Sequence, residues 1–357
     1  MSRPSSSQEL DALAHDAMER GLVLLNGSDP AAWHAAIRCF EEAIDLRRRL
    51  PLVDHPGFRF GLSAGWINRG DALARLGGEE KLAESVRSYD AAIDLLQDVP
   101  AGGDGSVVRR LAIAWMNRGL ALEARESEAA RREAVRSFEQ AIGALGPAHH
   151  PGDARRDVIL AMAWVNLGNA QLRCAGTEMA ESACQAMENA LRLLADFEAR
   201  EIAAAEAALK ARHILCQAIV ELLAAPNQEA SRELDLVCRM TDTLEDGLRL
   251  ARNWEAQGVA QFRPLATQLF CTGALVYEKQ QPQFLSDYLL DHVDPGCFGP
   301  PPPGERWLEF AGETVSRALR KVLGGDFGWL ATAESRRRLE ILKDLQAVES
   351  RLKELNQ

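Results

Sequence analysis

The chain has 357 residues, of which 47% are hydrophobic and 26% charged, with a formal net charge of −11 at pH 7. That apolar fraction supports a buried core and excludes a disordered chain. The acidic balance excludes a binder of nucleic acid or acidic membranes, which needs Lys and Arg to neutralise phosphate.

Residues 1–7 are Ser-rich and read as a disordered N-terminus. A helix is expected from about Gln8 to Leu25, ended by Asn26, Gly27 and Ser28. Asp29 then caps a second helix with Pro30 in its first turn, where a missing N–H costs nothing. Trp33, Ala36, Ile37, Phe40, Ala43 and Ile44 fall at three- and four-residue steps and define its buried face. The pattern returns after 49 residues. Trp66, Trp115 and Trp164 share one register, as do Asn68, Asn117 and Asn166, and Gly70, Gly119 and Gly168. In the second helices Phe40, Tyr89, Phe138 and Met187 keep the same step, with Ala43, Ala92, Ala141 and Ala190 behind them. A first repeat has Ala17 at the Trp position, and Pro51 and Pro100 close the second helices of repeats one and two. Each helix has one apolar face, so neighbouring hairpins must stack to bury it. A glycine inside a helix costs roughly 1 kcal/mol against Ala, which is tolerable where the partner helix crosses too closely for a Cβ. Ala72, Ala121 and Ala170 support such a crossing, and the Trp row is expected to be core.

Trp164, Leu167 and Gly168 resemble the first-helix signature of tetratricopeptide repeats (TPR). The Ala36/Phe40 and Ala134/Phe138 pairs resemble its second-helix signature. The resemblance covers residues 8–197. It implies an all-α, right-handed α-solenoid of stacked helix-turn-helix repeats. The period is longer than the family's usual unit, which implies longer helices and long connections between repeats, as at 97–106 and 146–153. Where the family has Leu before the crossing glycine, this chain has Arg20, Arg69 and Arg118.

The period fades after residue 197. Residues 198–295 read as degenerate helical repeats: helices at 202–223 and 229–251 with His213 at the Trp position, then 264–279 and 283–292 with Gly273 as crossing glycine. Residues 296–304 form a Pro-rich loop, either a stiff connector or a polyproline ligand. Residues 305–357 read as C-terminal capping helices. The last carries Ile341, Leu345, Val348, Leu352 and Leu355 on one seam, which suits either capping or self-association into a homo-oligomer.

Little in the sequence points to catalysis. There is no phosphate loop, nucleophile elbow or metal-binding helix motif, and the seven His are dispersed. The expectation is no enzyme activity, no cofactor and no metal site. Seven Cys without zinc spacing read as reduced, buried thiols of a cytoplasmic protein. No secretory signal or membrane span is expected. Basic clusters at Arg47, Arg48 and Arg49, at Arg109 and Arg110, at Arg155 and Arg156, and at Arg336, Arg337 and Arg338 sit at helix ends. They suit solvation or contacts to anions or an acidic partner.

By resemblance, the first helices line a concave groove for a peptide or protein partner. One groove row is apolar: Met18, Ile67, Met116 and Val165. The next holds Asn68, Asn117 and Asn166, after Glu19. Asn offers donor and acceptor together, so it can grip a ligand backbone or bond a neighbouring helix. Asp71, Arg75, Glu123, Asn169 and Arg173 are expected to ring the groove. The family's carboxylate clamp for chaperone tails needs Lys or Arg on the groove rows. Those rows here read His15, Ala64, Ile113, Met162 and Met18, Ile67, Met116, Val165, so such tails are not expected to bind. The function expected is a non-catalytic protein-interaction scaffold. The alternative is a self-assembling structural or regulatory subunit whose catalysis lies on another chain.

Overall fold

A computed structural model describes residues 6–100, 105–146, 153–226 and 229–280, with Tyr288 and Gln346. The expected Pro-rich loop and capping helices therefore lie outside the described residues, Gln346 apart. The chain divides into two compact units, Met1–Ala175 and Gly176–Gln357. No strand occurs among the described residues.

The first unit contains α1 (Ser7–Leu25), α2 (Pro30–Arg48), α3 (Pro56–Leu76), α4 (Glu79–Gln97), α5 (Ser106–Glu123), α6 (Glu128–Leu145) and α7 (Ala154–Arg173). Ser6 opens α1 through a reciprocal capping box with Glu9. Asp29 caps α2 as expected, its carboxylate accepting the Ala31 N–H at 2.9 Å. Gly77 and Gly78 turn α3 into α4 at φ of 69° and 82°, a region that strains any side chain.

Helices α1 and α2, α3 and α4, and α5 and α6 pair as hairpins. Each second helix then packs on the first helix of the next hairpin. The first helices α1, α3, α5 and α7 also touch in succession. The result is an all-α solenoid whose unit is the 49-residue hairpin. Its core begins with Ala14, Ala17, Met18, Ala36, Ile37, Phe40, Ala43, Ala72 and Leu73.

Gly21 faces the Phe40 ring, Gly70 faces Tyr89 and Gly119 faces Phe138. A Cβ on Gly70 would lie 2.6 Å from Tyr89 Cε1, and one on Gly119 2.5 Å from Phe138 Cε1. The three rings are at most 2% exposed. Burying each contributes on the order of 1.5–3 kcal/mol, which outweighs the helix-propensity cost of the glycine.

The Trp row departs from expectation. Trp66, Trp115 and Trp164 are half-buried, not core, and so is Trp33 on the expected buried face of α2. The Trp33 indole donates to the Gly27 carbonyl at 2.7 Å. Arg48 and Arg69 lie over Trp66 at 4.9 and 5.8 Å, and Arg118 lies over Trp115 at 5.7 Å. Spacing of three along a helix puts Arg69 and Arg118 on the same face as their Trp.

The second unit contains α8 (Thr177–Leu194), α9 (Ile202–Leu223), α10 (Ala230–Ala256), a 3₁₀ turn (Ala260–Phe262) and α11 (Arg263–Gln280). Helix α9 packs against α8, α10 and α11. This explains why its buried residues run nearly all round it, mostly Ala, Leu and Ile. Gly273, the expected crossing glycine, meets Tyr288 as the first-unit glycines meet their rings, whereas Gly247 approaches the aliphatic Leu269. Arg212, 8% exposed, is held by Glu198 through two bonds of 2.7 and 3.0 Å. The thiols also differ from expectation. Cys184 and Cys216 are buried, but Cys39 and Cys174 are half-buried and Cys238 is exposed.

Gly70→Ala should destabilise the chain by about 1–3 kcal/mol, because the added methyl meets the Tyr89 ring in a packed crossing. Gly143→Ala, where nothing lies within 4 Å of the methyl group it would add, should instead stabilise it by about 0.4–1 kcal/mol. Urea denaturation of the two variants checks both signs.

Candidate functional site

The first helices border a trough of about 750 Å³. Helix α1 contributes Asp11, His15, Met18, Glu19 and Leu22. Helix α3 adds Gly57, Phe60, Gly61, Ala64, Ile67 and Asn68. Ser106, Arg109, Arg110 and Ile113 come from α5, and Arg155 and Ile159 from α7; Arg47 reaches in from α2. Gly61 permits that reach. Its carbonyl accepts from Arg47 at 2.8 Å, and a Cβ there would stand 3.2 Å from Arg47 Nε.

The trough gathers part of the expected groove: His15, Ala64 and Ile113 of one row, Met18 and Ile67 of the next, then Glu19 and Asn68. Met18, Ile67, Met116 and Val165 present only an edge, being 5–7% exposed. Met162 is 39% exposed. The three asparagines differ. Asn68 borders the trough, and Asn68 and Asn166 form no side-chain hydrogen bond among the described residues. Asn117 instead donates to Asp71 Oδ1 at 2.9 Å.

That Asp71 oxygen also accepts the Tyr89 hydroxyl at 2.7 Å. One rung therefore ties α3, α4 and α5 together. A looser rung follows on α5 and α7, where Asn169 Nδ2 lies 3.4 Å from Glu123 Oε1. Both rungs join residues 46 apart. Arg75 donates to the Leu25 carbonyl at 2.7 Å, closing the end of α1. Burial raises the Asp71 carboxyl above the usual carboxylate range, against its two hydrogen bonds and the Arg75 charge. Burial raises Glu123 likewise, opposed by Arg173. The polar residues expected to ring a groove thus serve partly as ties between hairpins.

The arginines before the crossing glycines carry a role that the sequence alone did not suggest. Arg69 bonds Glu41 at 3.0 Å and Ser88 at 2.7 Å, with Glu84 at 3.9 Å. Arg118 repeats this one period on, with Asp90 at 2.6 Å, Ser137 at 2.7 Å and Glu133 at 2.5 Å. Each guanidinium joins its own second helix to the preceding one. Burial lowers the Arg118 pKa, but Glu133 and Asp90 more than offset it and the net shift is upward. The signal was available, since Glu41/Asp90, Glu84/Glu133 and Ser88/Ser137 share the 49-residue step.

Among the described residues no group of three or more His, Cys, Asp or Glu is placed to hold a metal, and no helix is long and apolar enough to cross a membrane. No protein-family model and no curated protein sequence matches the chain. Among solved structures it is similar to a circular tandem repeat protein with novel repeat topology and enhanced subunit contact surfaces, at 16% identity over 98% of this chain and 86% of that one, with a TM-score of 0.40. It is also similar to the nuclear import adaptor Nro1 of S. pombe, at 14% identity over 95% and 99%, with a TM-score of 0.41. A third is the DHF58 filament, at 18% identity over 60% and 96%, with a TM-score of 0.30.

Replacing Asp71 separates its hydrogen bonds from its charge. Asp71→Ala should cost about 1–3 kcal/mol, since the buried Tyr89 hydroxyl loses its acceptor. Asp71→Asn keeps that oxygen and should equal or exceed the wild type at neutral pH. A raised folded pKa contributes stability at low pH that is lost as pH rises through it. The advantage of Asp71→Asn should therefore shrink as pH falls toward 3.8, the ordinary Asp value. Urea midpoints at the two pH values read this out.

Proposed function

We propose that this chain is a non-catalytic protein-interaction scaffold of the TPR-like kind, holding a partner segment across α1, α3, α5 and α7. The observation that carries the reading is the trough itself, bordered by four successive first helices with an apolar floor at Phe60, Ala64, Ile67 and Ile113. A floor spread over several repeats suits an extended segment, whose affinity is distributed along the array. Asn68 supplies a backbone-gripping amide at the trough, and Asn166 on α7 continues the row beyond its lining, Asn117 being committed to Asp71. The unpaired thiols of Cys39, Cys174, Cys184, Cys216 and Cys238 support a reducing, cytoplasmic setting.

Affinity purification of the full chain from its native host, quantified by mass spectrometry, tests the proposal. Asn68→Ala with Asn166→Ala, and separately His15→Trp to narrow the trough from an exposed position, should each deplete the captured partner about tenfold, the loss of one good contact. Helicity should not change. Undiminished capture by both variants sinks the proposal.

A further inference from the structure

The charges at the trough are unevenly matched. Arg47 is paired with Asp11 at 3.2 Å and Arg109 with Asp153 at 3.0 Å. Arg110 and Arg155 have no acidic partner among the described residues, although both border the cavity. Arg110 is half-buried. It donates one bond to the Phe60 carbonyl at 2.6 Å, and its Cζ lies 3.4 Å from the centre of the Phe60 ring. A guanidinium has five N–H donors in a planar fork, so most of its capacity is unused. Burial, reinforced by the Arg47 charge, pushes the Arg110 pKa down to about 10. A cation disfavoured in this way is stabilised by an arriving anion. Arg155 stands in the first turn of α7, at the positive end of the helix dipole, where a cation is unfavourable and an anion is welcome.

Resting on the trough reading above, we infer that this end accepts a carboxylate of an acidic protein segment. Arg110 and Arg155 hold the carboxylate, while apolar residues of the same segment lie on Ala64, Ile113 and Ile159. Four guanidiniums border the cavity against the carboxylates of Asp11 and Glu19, with Asp153 paired to Arg109, so the local balance stays positive, opposite to the net −11 of the chain. Paired N–H donors match the two oxygens of a carboxylate. The apolar floor selects a segment mixing acidic and apolar residues over a free anion, which would use one end only. The basic end comes from the two N-terminal turns of α5 and the first turn of α7. The groove rows read from the Trp register do not include those turns, and their lack of Lys and Arg therefore left it unseen.

Fluorescence anisotropy of the full chain with a short amidated peptide alternating Glu and Leu tests the inference, beside the same peptide with Gln for Glu and one with phosphoserine for Glu. The Glu peptide should bind about tenfold or more tightly than the Gln peptide, and should weaken as salt rises. Arg110→Gln should abolish the difference. Arg155→Gln, at an exposed position that does not endanger folding, should reduce it in part. Equal binding of the Glu and Gln peptides, unaffected by either variant, overturns the acidic preference and leaves the trough standing. Tighter binding of the phosphoserine peptide, with ready displacement by inorganic phosphate, overturns the carboxylate assignment. If no peptide binds, the inference falls, and the native-host capture decides separately whether the trough reading falls too.

Discussion

Three contacts between a glycine and an aromatic ring set the geometry of the first unit. Gly21 with Phe40, Gly70 with Tyr89 and Gly119 with Phe138 bring the two helices of each hairpin too close for any Cβ. Once the crossing is fixed, Trp66 and Trp115, four positions before Gly70 and Gly119, stand under Arg69 and Arg118, and Asn117, two before Gly119, stands toward α3. Asn117 can then reach Asp71, and Asp71 in turn takes the hydroxyl of the very ring that fills the crossing. Of these three rings Tyr89 alone carries a hydroxyl, so the polar rung and the apolar contact are parts of a single side chain's packing.

The repeat and its hairpins were legible because packing imposes a period, and a period survives in sequence. The helix ends at Asp29, Leu25 and Leu223 followed from capping and spacing. The burial of Trp66, Trp115 and Trp164 was not legible. A hydrophobic index treats indole as core, whereas an Arg three residues later draws each of Trp66 and Trp115 to a wet boundary under a guanidinium. Met18 and Ile67 lie on the first helices α1 and α3, where close packing leaves only their edges in view. Partners separated by 46 residues, such as Asp71 and Asn117, do not share the 49-residue step and were invisible to a search for equal spacing.

Polar groups in this unit sort into two kinds by where their charge is spent. Arg69, Arg118 and Asp71 are consumed in joining helices. They resemble buried networks elsewhere, in which full satisfaction of donors and acceptors matters more than the nominal strength of any one pair. Arg110 joins α5 to the Phe60 carbonyl of α3 through a single bond, but neither it nor Arg155 has an acidic partner among the described residues. Both border the same cavity as Ala64, Ile113 and Ile159, near the N-terminal ends of α5 and α7.

The arginine joints carry a consequence for how such a chain can change length. Glu41 and Asp90, Glu84 and Glu133, and Ser88 and Ser137 occupy matching stations around Arg69 and Arg118. Excision of one whole module would present Glu41 to Arg118 where Asp90 had stood, with Ser137 and Phe138 still in place. Shorter deletions would strand a guanidinium away from its acids and drive a methylene or methyl into a ring. Growth and loss by entire modules is therefore the route that leaves every joint closed, and each such step would lengthen or shorten the row of first helices by one.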